Sequence, residues 1–365
     1  MKIGVLGGGQ LGRMLALAGY PLGLRFRFLD PAPESPVEEL ADLIVGRFDD
    51  LDALGRFPAG LDVVTYEFEN VPVEAVAHLI RSAPVYPPLP ALETSQDRLL
   101  EKTLFRRLDI PPAPFYPVNT FDDLQTGVRE LGLPAVLKTR RLGYDGKGQT
   151  VLRETQDVDV AWRLLGGVPL LLEGFVAFDR EVSQIAVRGR DGAIALYPLV
   201  ENHHRDGILR LTLAPAPDTT AALQEQAAQA IRRVMEELNY VGVLAIEFFQ
   251  TGDRLIANEM APRVHNSGHW TIEGARTSQF ENHLRAILGW PLGPTDAVGH
   301  SAMVNLIGHI PPVPAMLAVP GAHLHLYGKK PRPGRKVGHA TLWADTAEQV
   351  RDRLAAFRPL LAEPT

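Results

Sequence analysis

Residues 2–30 set the strongest limit on the architecture. KIGVL (2–6) is short, apolar and strand-like, GGGQLG (7–12) turns sharply, LGRMLALAG has helical spacing, and LRFRFLD (24–30) reads as a second strand. Strand, glycine turn, helix and strand in so short a span form a βαβ unit, whose strands run parallel. LDVVTYEFE (61–69) adds another strand, and Pro72 opens a helix to about Arg81. The chain is therefore expected to start with a Rossmann-like parallel-sheet domain over 1–92, closed by the proline-rich stretch 84–90.

Gly7, Gly9 and Gly12 satisfy G-x-G-x-x-G, and Asp30 follows where an acid would meet a ribose. Taken alone, this proposes a nicotinamide-dependent dehydrogenase. Two other readings stand beside it. The glycines could only let strand and helix pack closely, or the helix start could hold the phosphate of another ligand.

The middle of the chain alternates differently. SQDRLLEKTLFRRL (95–108) reads as a helix with Ser95 as N-cap and Leu100, Leu104 and Leu108 on its apolar face. DIPPAPFYPV (109–118) is a linker. A helix is expected near 121–131, strands at 134–139 and 149–153, a helix near 157–165 and an apolar run at 168–176. REVSQIAVRG (180–189) alternates like a strand with one wet face. A helix follows at about 221–238, then strands 241–249 and 254–262 around a QTGD turn, and a helix at 278–288 ended by Gly289. Residues 291–365 read as mostly β. The class is α/β joined to α+β.

Net charge is −6, which disfavours nucleic acid and anionic membrane as partners. There is no cysteine, so disulfides, thiolate metal sites and a cysteine nucleophile are excluded, and a reducing compartment suits the chain. Its start lacks the features of a secretion signal, and no apolar run reaches the ~20 residues of a spanning helix. A cytoplasmic protein is expected.

Five features carry chemistry in order: Lys138 at a strand end; LGYDGKGQT (142–150) with three glycines and Lys147; EGFVAFDRE (173–181); Glu247 on an apolar strand; and Asn258–Glu259 on its partner. Glycines let a backbone approach phosphate oxygens, and a mobile hairpin can close over them. Two carboxylates on adjacent antiparallel strands can hold Mg²⁺ against phosphates. Ordinary solvated residues are the competing reading, but Ile246, Phe248, Phe249 and Met260 make an unpartnered carboxylate costly there. Asn202–His203–His204 is not expected to gather a metal.

This order resembles the ATP-grasp superfamily. GGGQLGRML, GYDGKGQ, GILR, ELNYVGVLAIE, NEMAPRVHNSGHWT and RPGRKVGH are similar, more finely, to the signatures of the 5-(carboxyamino)imidazole ribonucleotide synthase family. The resemblance implies an ATP-grasp domain over 93–290 with a lid near 112–178, and a small mostly-β domain over 291–365. It implies ATP-dependent carboxylation of aminoimidazole ribonucleotide by bicarbonate through carboxyphosphate, in a homodimer. By the same resemblance ATP meets Arg98, Lys138 and the loop Gly143, Tyr144, Asp145, Gly146, Lys147, Gly148 and Gln149. Glu173, Gly174, Phe175 and Val176 line the adenine, Glu181 takes the ribose, and His204 and Asn258 lie on the nucleotide side. Glu247 and Glu259 hold Mg²⁺, with Mn²⁺ as the alternative ion, and Ala261 stands where many relatives have an asparagine ligand. Tyr144, Asp145, Asn266, Ser267, Lys329 and Arg335 bind the ribonucleotide. Arg263, His265, Lys329 and Asp145 form the implied catalytic set. His269 is left as a packing residue. Other ATP-grasp ligases, such as a formate-using purine enzyme, share the ATP site and differ at 263–269 and 329–339.

Overall fold

A computed structural model describes residues 1–143 and 146–361. The parallel sheet forms from β1 (Lys2–Leu6), β2 (Arg25–Asp30), β3 (Asp42–Val45) and β4 (Val63–Tyr66) in the order β3-β2-β1-β4. β1 is the inner strand and buries Ile3, Val5 and Leu6 completely, as a strand covered on both faces should. The helix Gln10–Gly19 covers one face.

A four-stranded antiparallel sheet follows, built from β5 (Phe115–Val118), β6 (Ala135–Thr139), β7 (Gln149–Leu152) and β8 (Leu170–Gly174) in the order β5-β8-β6-β7. The helices Phe121–Leu131 and Asp157–Leu165 pack on it around Leu124, Leu137, Val158 and Leu172. β6 and β7 flank the glycine hairpin.

The third sheet is the largest. It contains β9 (Arg180–Arg188), β10 (Ile194–Leu196), β11 (Val200–Arg205), β12 (Ile208–Ala214), β13 (Gly242–Thr251), β14 (Arg254–Ala261), β15 (His300–Ile307), β16 (Ala322–Leu326) and β17 (Lys336–Ala344). Its main path is β14-β13-β9-β11-β12-β15-β17-β16, with β10 paired to β9. The last three strands thus extend the sheet laid down by β9–β14. The helix Gln279–Leu288 is wedged between this sheet and the first domain, where Phe280, Leu284 and Ile287 share a core with Leu11, Leu15, Val187 and Val243. Its end is Gly289 at φ 71°, in the left-handed region glycine tolerates.

Three local expectations change. β9 is buried along most of its length rather than wet on one face, because β13 and β11 flank it and helices cover it. Its polar residues are satisfied inside: the Gln184 amide donates to the Tyr197 carbonyl at 2.6 Å, and Asn202 donates to Ser183 Oγ at 2.5 Å. The helix expected over 95–108 starts at Arg98, and Asp97 caps it by accepting from Leu99 N at 3.0 Å. Ser95 instead ends a separate helix, Leu89–Ser95. Its inward face is also rotated from the leucine pattern: Leu100 is exposed, whereas Glu101, Lys102, Leu104 and Phe105 are buried.

Candidate active site

A cavity of about 680 Å³ opens where the three sheets meet. Its walls come from the first domain (Gln10, Glu67, Glu69), the hairpin (Gly143, Gly146, Lys147, Gln149), the β8 exit (Glu173–Val176), β13 and β14 (Glu247, Asn258, Glu259) and the segments bearing Arg263, His265, Asn266, Lys329 and Lys336.

Strand alternation selects what faces it. On β13, Ile246 and Phe248 enter the core while Glu247 and Phe249 line the cavity. Glu247 and Glu259 are direct cross-strand partners, and the register shifts just beyond Glu247 so that Phe248 pairs with Ala257. Asn258 is the extra residue of that bulge, which lets it and Glu259 both reach the cavity. Burial and the neighbouring Glu259 carboxylate push Glu247 up to about 7. Two carboxylates so close are comfortable with a cation between them. The Asn258 amide oxygen is buried without a hydrogen-bond partner beside them. The donor set is thus one that fits a hard cation, although no third acid or histidine completes a cluster among the described residues.

The nucleotide end is cationic and apolar. Lys138, one residue before the end of β6, has its Nζ 3.0 Å from Glu173 Oε2, and the wholly buried Lys102 reaches the same oxygen at 3.2 Å. Burial alone would raise Glu173, but Lys102 and Lys138 outweigh it and hold the carboxyl at about 2. Glu173 therefore meets the cavity through a carboxylate already engaged by two lysines, not through its backbone alone. Gly174, Phe175 and Val176 follow it along the wall, and Phe178 stacks on Phe249 at 4.7 Å between centroids. Glu181 is held by His204 Nδ1 at 2.7 Å. Arg98 lies 3.3 Å from Glu259. A Cβ on Gly143 would sit 3.3 Å from the Arg98 guanidinium, so the glycine permits that close approach. Gly146 and Gly148 have φ of 76° and 71°, which explains why the hairpin needs glycine at both. Gly148 donates no side chain to the wall, but its carbonyl accepts from Thr139 N at 2.8 Å. Tyr144 and Asp145 lie outside the described residues.

At the other end, Arg263 pairs with Glu69, and this pairing holds Glu69 at about 2 against a burial effect that would raise it. His265 is buried; Ser267 N–H points at its Nδ1 and Ser267 Oγ lies 2.7 Å away, which leaves Nε2 to carry the proton toward Glu247 at 3.4 Å. Burial and the Arg263 charge push His265 down to about 3, so it is a neutral imidazole and not the near-neutral titrating group its type suggests. Ser267 orients His265 rather than lining the cavity. Both polar atoms of the Asn266 amide are buried without partners at the cavity wall. Lys329 reaches across to the Gln10 side chain of the first domain. Arg335 turns back to its own loop, donating to the Lys330 carbonyl at 3.1 Å, and the neighbouring Lys336 lines the cavity instead.

The side chains of Asn202, His203 and His204 separate: Asn202 is buried on Ser183 and Thr212, His203 pairs with Glu201, and His204, the one of the three expected at the nucleotide side, with Glu181. Sequence reasoning missed Lys102, Glu101, Glu67 and Glu69. Lys102 had one available signal, its place four residues after Arg98 on one helix face.

The G-x-G-x-x-G loop has its own internal anion. Glu67 accepts from Gly12 N at 2.6 Å and also from Gly9 N, and Asp30 accepts from Gly8 N at 2.7 Å. The helix start and the acid that a dinucleotide would use are both occupied by the chain itself.

Fold and cavity define an ATP-grasp ligase. Residues 103–280 match the ATP-grasp domain, 1–96 the ribonucleotide synthetase preATP-grasp domain, and 301–353 the phosphoribosylaminoimidazole carboxylase C-terminal domain. The chain belongs to the N5-carboxyaminoimidazole ribonucleotide synthase family. It is 54% identical to the synthase of Pseudomonas aeruginosa over 361 residues, 99% of each chain. The synthetase structure from Thermus thermophilus superposes with a TM-score of 0.96 at 60% identity, covering 99% of both chains. The Aspergillus clavatus synthase, solved with ADP and 5-aminoimidazole ribonucleotide, superposes with a TM-score of 0.92 at 32% identity, covering 99% of this chain and 98% of that one.

Proposed function

We propose that this chain carboxylates the exocyclic amine of 5-aminoimidazole ribonucleotide, using ATP and bicarbonate and releasing ADP and phosphate. The observation that carries the reading is the single cavity with two chemically distinct ends that meet at Glu247 and Glu259. One end offers buried cations and an apolar slot for a nucleotide. The other offers Arg263, His265, Asn266, Lys329 and Lys336 for a smaller phosphorylated ligand.

In the proposed sequence a bicarbonate oxygen attacks the γ-phosphorus of ATP, and the bond to the β-γ bridging oxygen breaks. Carboxyphosphate and ADP result. The ribonucleotide amine then attacks the carboxyl carbon, phosphate departs, and the nitrogen loses a proton. Lys138, Arg98 and the hairpin hold the phosphates, while Phe175, Val176 and the Phe178–Phe249 stack receive the base. Arg263 orients the bicarbonate anion, and the neutral His265 keeps its Nε2 proton toward Glu247 and acts at that atom as a hydrogen-bond donor, not as a base. Glu247 and Glu259 would hold Mg²⁺, which offsets charge on phosphate oxygens during transfer. A homodimeric state and a cytoplasmic setting belong to the same reading and rest on the family likeness. No helix of the described residues is long and apolar enough to cross a membrane.

The test is ADP release from Mg²⁺-ATP with and without the ribonucleotide, at low and high bicarbonate. Release that needs the ribonucleotide and rises with bicarbonate is expected. Release that responds to formate or an amino acid instead would move the chain to another ATP-grasp ligase.

A further inference from the structure

The floor of the nucleotide end contains a charge arrangement that no motif marks. Glu173 Oε2 lies 3.0 Å from Lys138 Nζ and 3.2 Å from Lys102 Nζ. Lys102 is completely buried, Glu173 is 2% exposed and Lys138 9% exposed. The remaining contact of Lys102 is the Ala257 carbonyl at 3.5 Å. Two ammonium groups on one carboxylate give this trio a net positive charge in a buried place; the adjacent Glu101, which also attracts Lys102, is pushed up to about 8 by burial and the Glu259 carboxylate and so does not cancel it. Natural interiors avoid this unless a ligand supplies the missing anion.

We propose that Lys102 is a positioning residue: by sharing the Glu173 carboxylate with Lys138, it lets Lys138 be held in place without being neutralised, so that its charge remains for a nucleotide phosphate. This rests on the assignment of Lys138 to phosphate given above. Without Lys102, Glu173 and Lys138 form a neutral ion pair, and a phosphate must compete with the carboxylate for the ammonium. Lys102 never touches the nucleotide in this scheme. A methionine there fills the same space, so the argument concerns charge and not volume.

The arithmetic of charge supplies the test. The native trio carries +1, Lys102→Met carries 0, and Lys102→Met with Glu173→Gln carries +1 again. ADP dissociation constants measured by calorimetry on the full chain should weaken about tenfold in Lys102→Met, recover in Lys102→Arg, and return to within about threefold of wild type in the double variant. The pH profile adds a readout that packing alone would not move. Lys138 faces Glu173 from β8 and Lys102 and Arg98 from the helix Arg98–Arg107; burial and the two cations lower its pKa and Glu173 opposes them. Loss of ADP affinity on the alkaline side should therefore shift to higher pH in Lys102→Met. An unchanged ADP affinity and alkaline midpoint in Lys102→Met, or a double variant no tighter than that single variant, overturns the proposal. The double variant also decides the matter if Lys102→Met does not fold. Lys138→Met separates the two readings: unchanged ADP affinity there removes the phosphate assignment and the proposal with it. A loss there with none in Lys102→Met removes the proposal alone.

Discussion

The two glycine-rich loops of this chain have similar composition and opposite uses. In the first, Gly8, Gly9 and Gly12 donate their N–H groups to Asp30 and Glu67, so the chain satisfies its own helix start. In the second, Gly143 and Gly146 line the cavity beside Lys147, with Lys138 at the strand that leads into the hairpin. Glycine content alone reports only that a backbone must turn or approach something closely. What it approaches is decided by side chains far away in sequence. Glu67 lies 55 residues from Gly12 and acts as the cap that Gly9, with no side chain, cannot provide.

The largest expected effect sharpens this contrast at the hairpin end. Glu259→Ala should lower ADP formation about 10³-fold or more, because it removes one of two acids proposed to hold Mg²⁺. Normal turnover in Mg²⁺ would break the metal assignment. Next comes Lys329→Ala, which should lower kcat/KM for the ribonucleotide roughly thirtyfold while the KM for ATP stays near wild type. Burial pushes the Lys329 ammonium down to about 8. Its charged form is the one that attracts a phosphate, so affinity for the ribonucleotide should fall as pH rises through about 8, and Lys329→Arg should remove that limb. A flat profile in the wild type would exclude Lys329 from phosphate binding.

Glu67→Ala tests the other loop. It leaves the buried Gly12 N–H and the half-buried Gly9 N–H without their acceptor, and a loss of about 2 kcal/mol in denaturant unfolding is expected. Freed of Glu67, the loop should still not bind NADH, because Asp30 remains tied to Gly8 and Ala32. Tight NADH binding by this variant would show that only Glu67 separates the loop from a dinucleotide site. Gly148→Ala is the matching change in the hairpin. At φ 71° a Cβ would come within 2.6 Å of Thr139 Oγ1, so a rise of a few-fold in KM for ATP is expected, with little change in KM for the ribonucleotide.

Much of this was legible because period and punctuation were clear. β1, the hairpin strands and the β13–β14 pair follow from apolar runs bounded by glycine and proline, and the cross-strand meeting of Glu247 with Glu259 follows from the short turn between them. The failures share a cause. The leucine spacing at 100, 104 and 108 suggested an apolar face, yet Leu100 is exposed and Glu101 and Lys102 face inward. A buried charge looks like a solvated one in sequence until its partner is known, and Glu173 is 71 residues beyond Lys102. For the same reason Arg263 could be placed in the site while its partner Glu69, in another domain, could not. The extension of the large sheet by β15–β17 was also hidden, since long-range strand pairing leaves no local period.

The smallest predicted effect concerns RPGRKVGH, where the segment is well marked but the residue is not. Arg335 is one of the residues expected to bind the ribonucleotide, and here its guanidinium donates to the Lys330 carbonyl within the same loop. Lys336, the first residue of β17, lines the cavity. Neighbouring residues in extended chain point to opposite sides, so a one-residue shift decides which cation meets the ligand. Arg335→Ala should change kcat/KM for the ribonucleotide by less than about twofold, as expected of a half-buried charge spent on its own loop. Lys336→Ala should cost several-fold more in the same assay. If Arg335→Ala proved the more damaging, the loop must rearrange when the ribonucleotide binds, and the closed form would present Arg335 where Lys336 now stands.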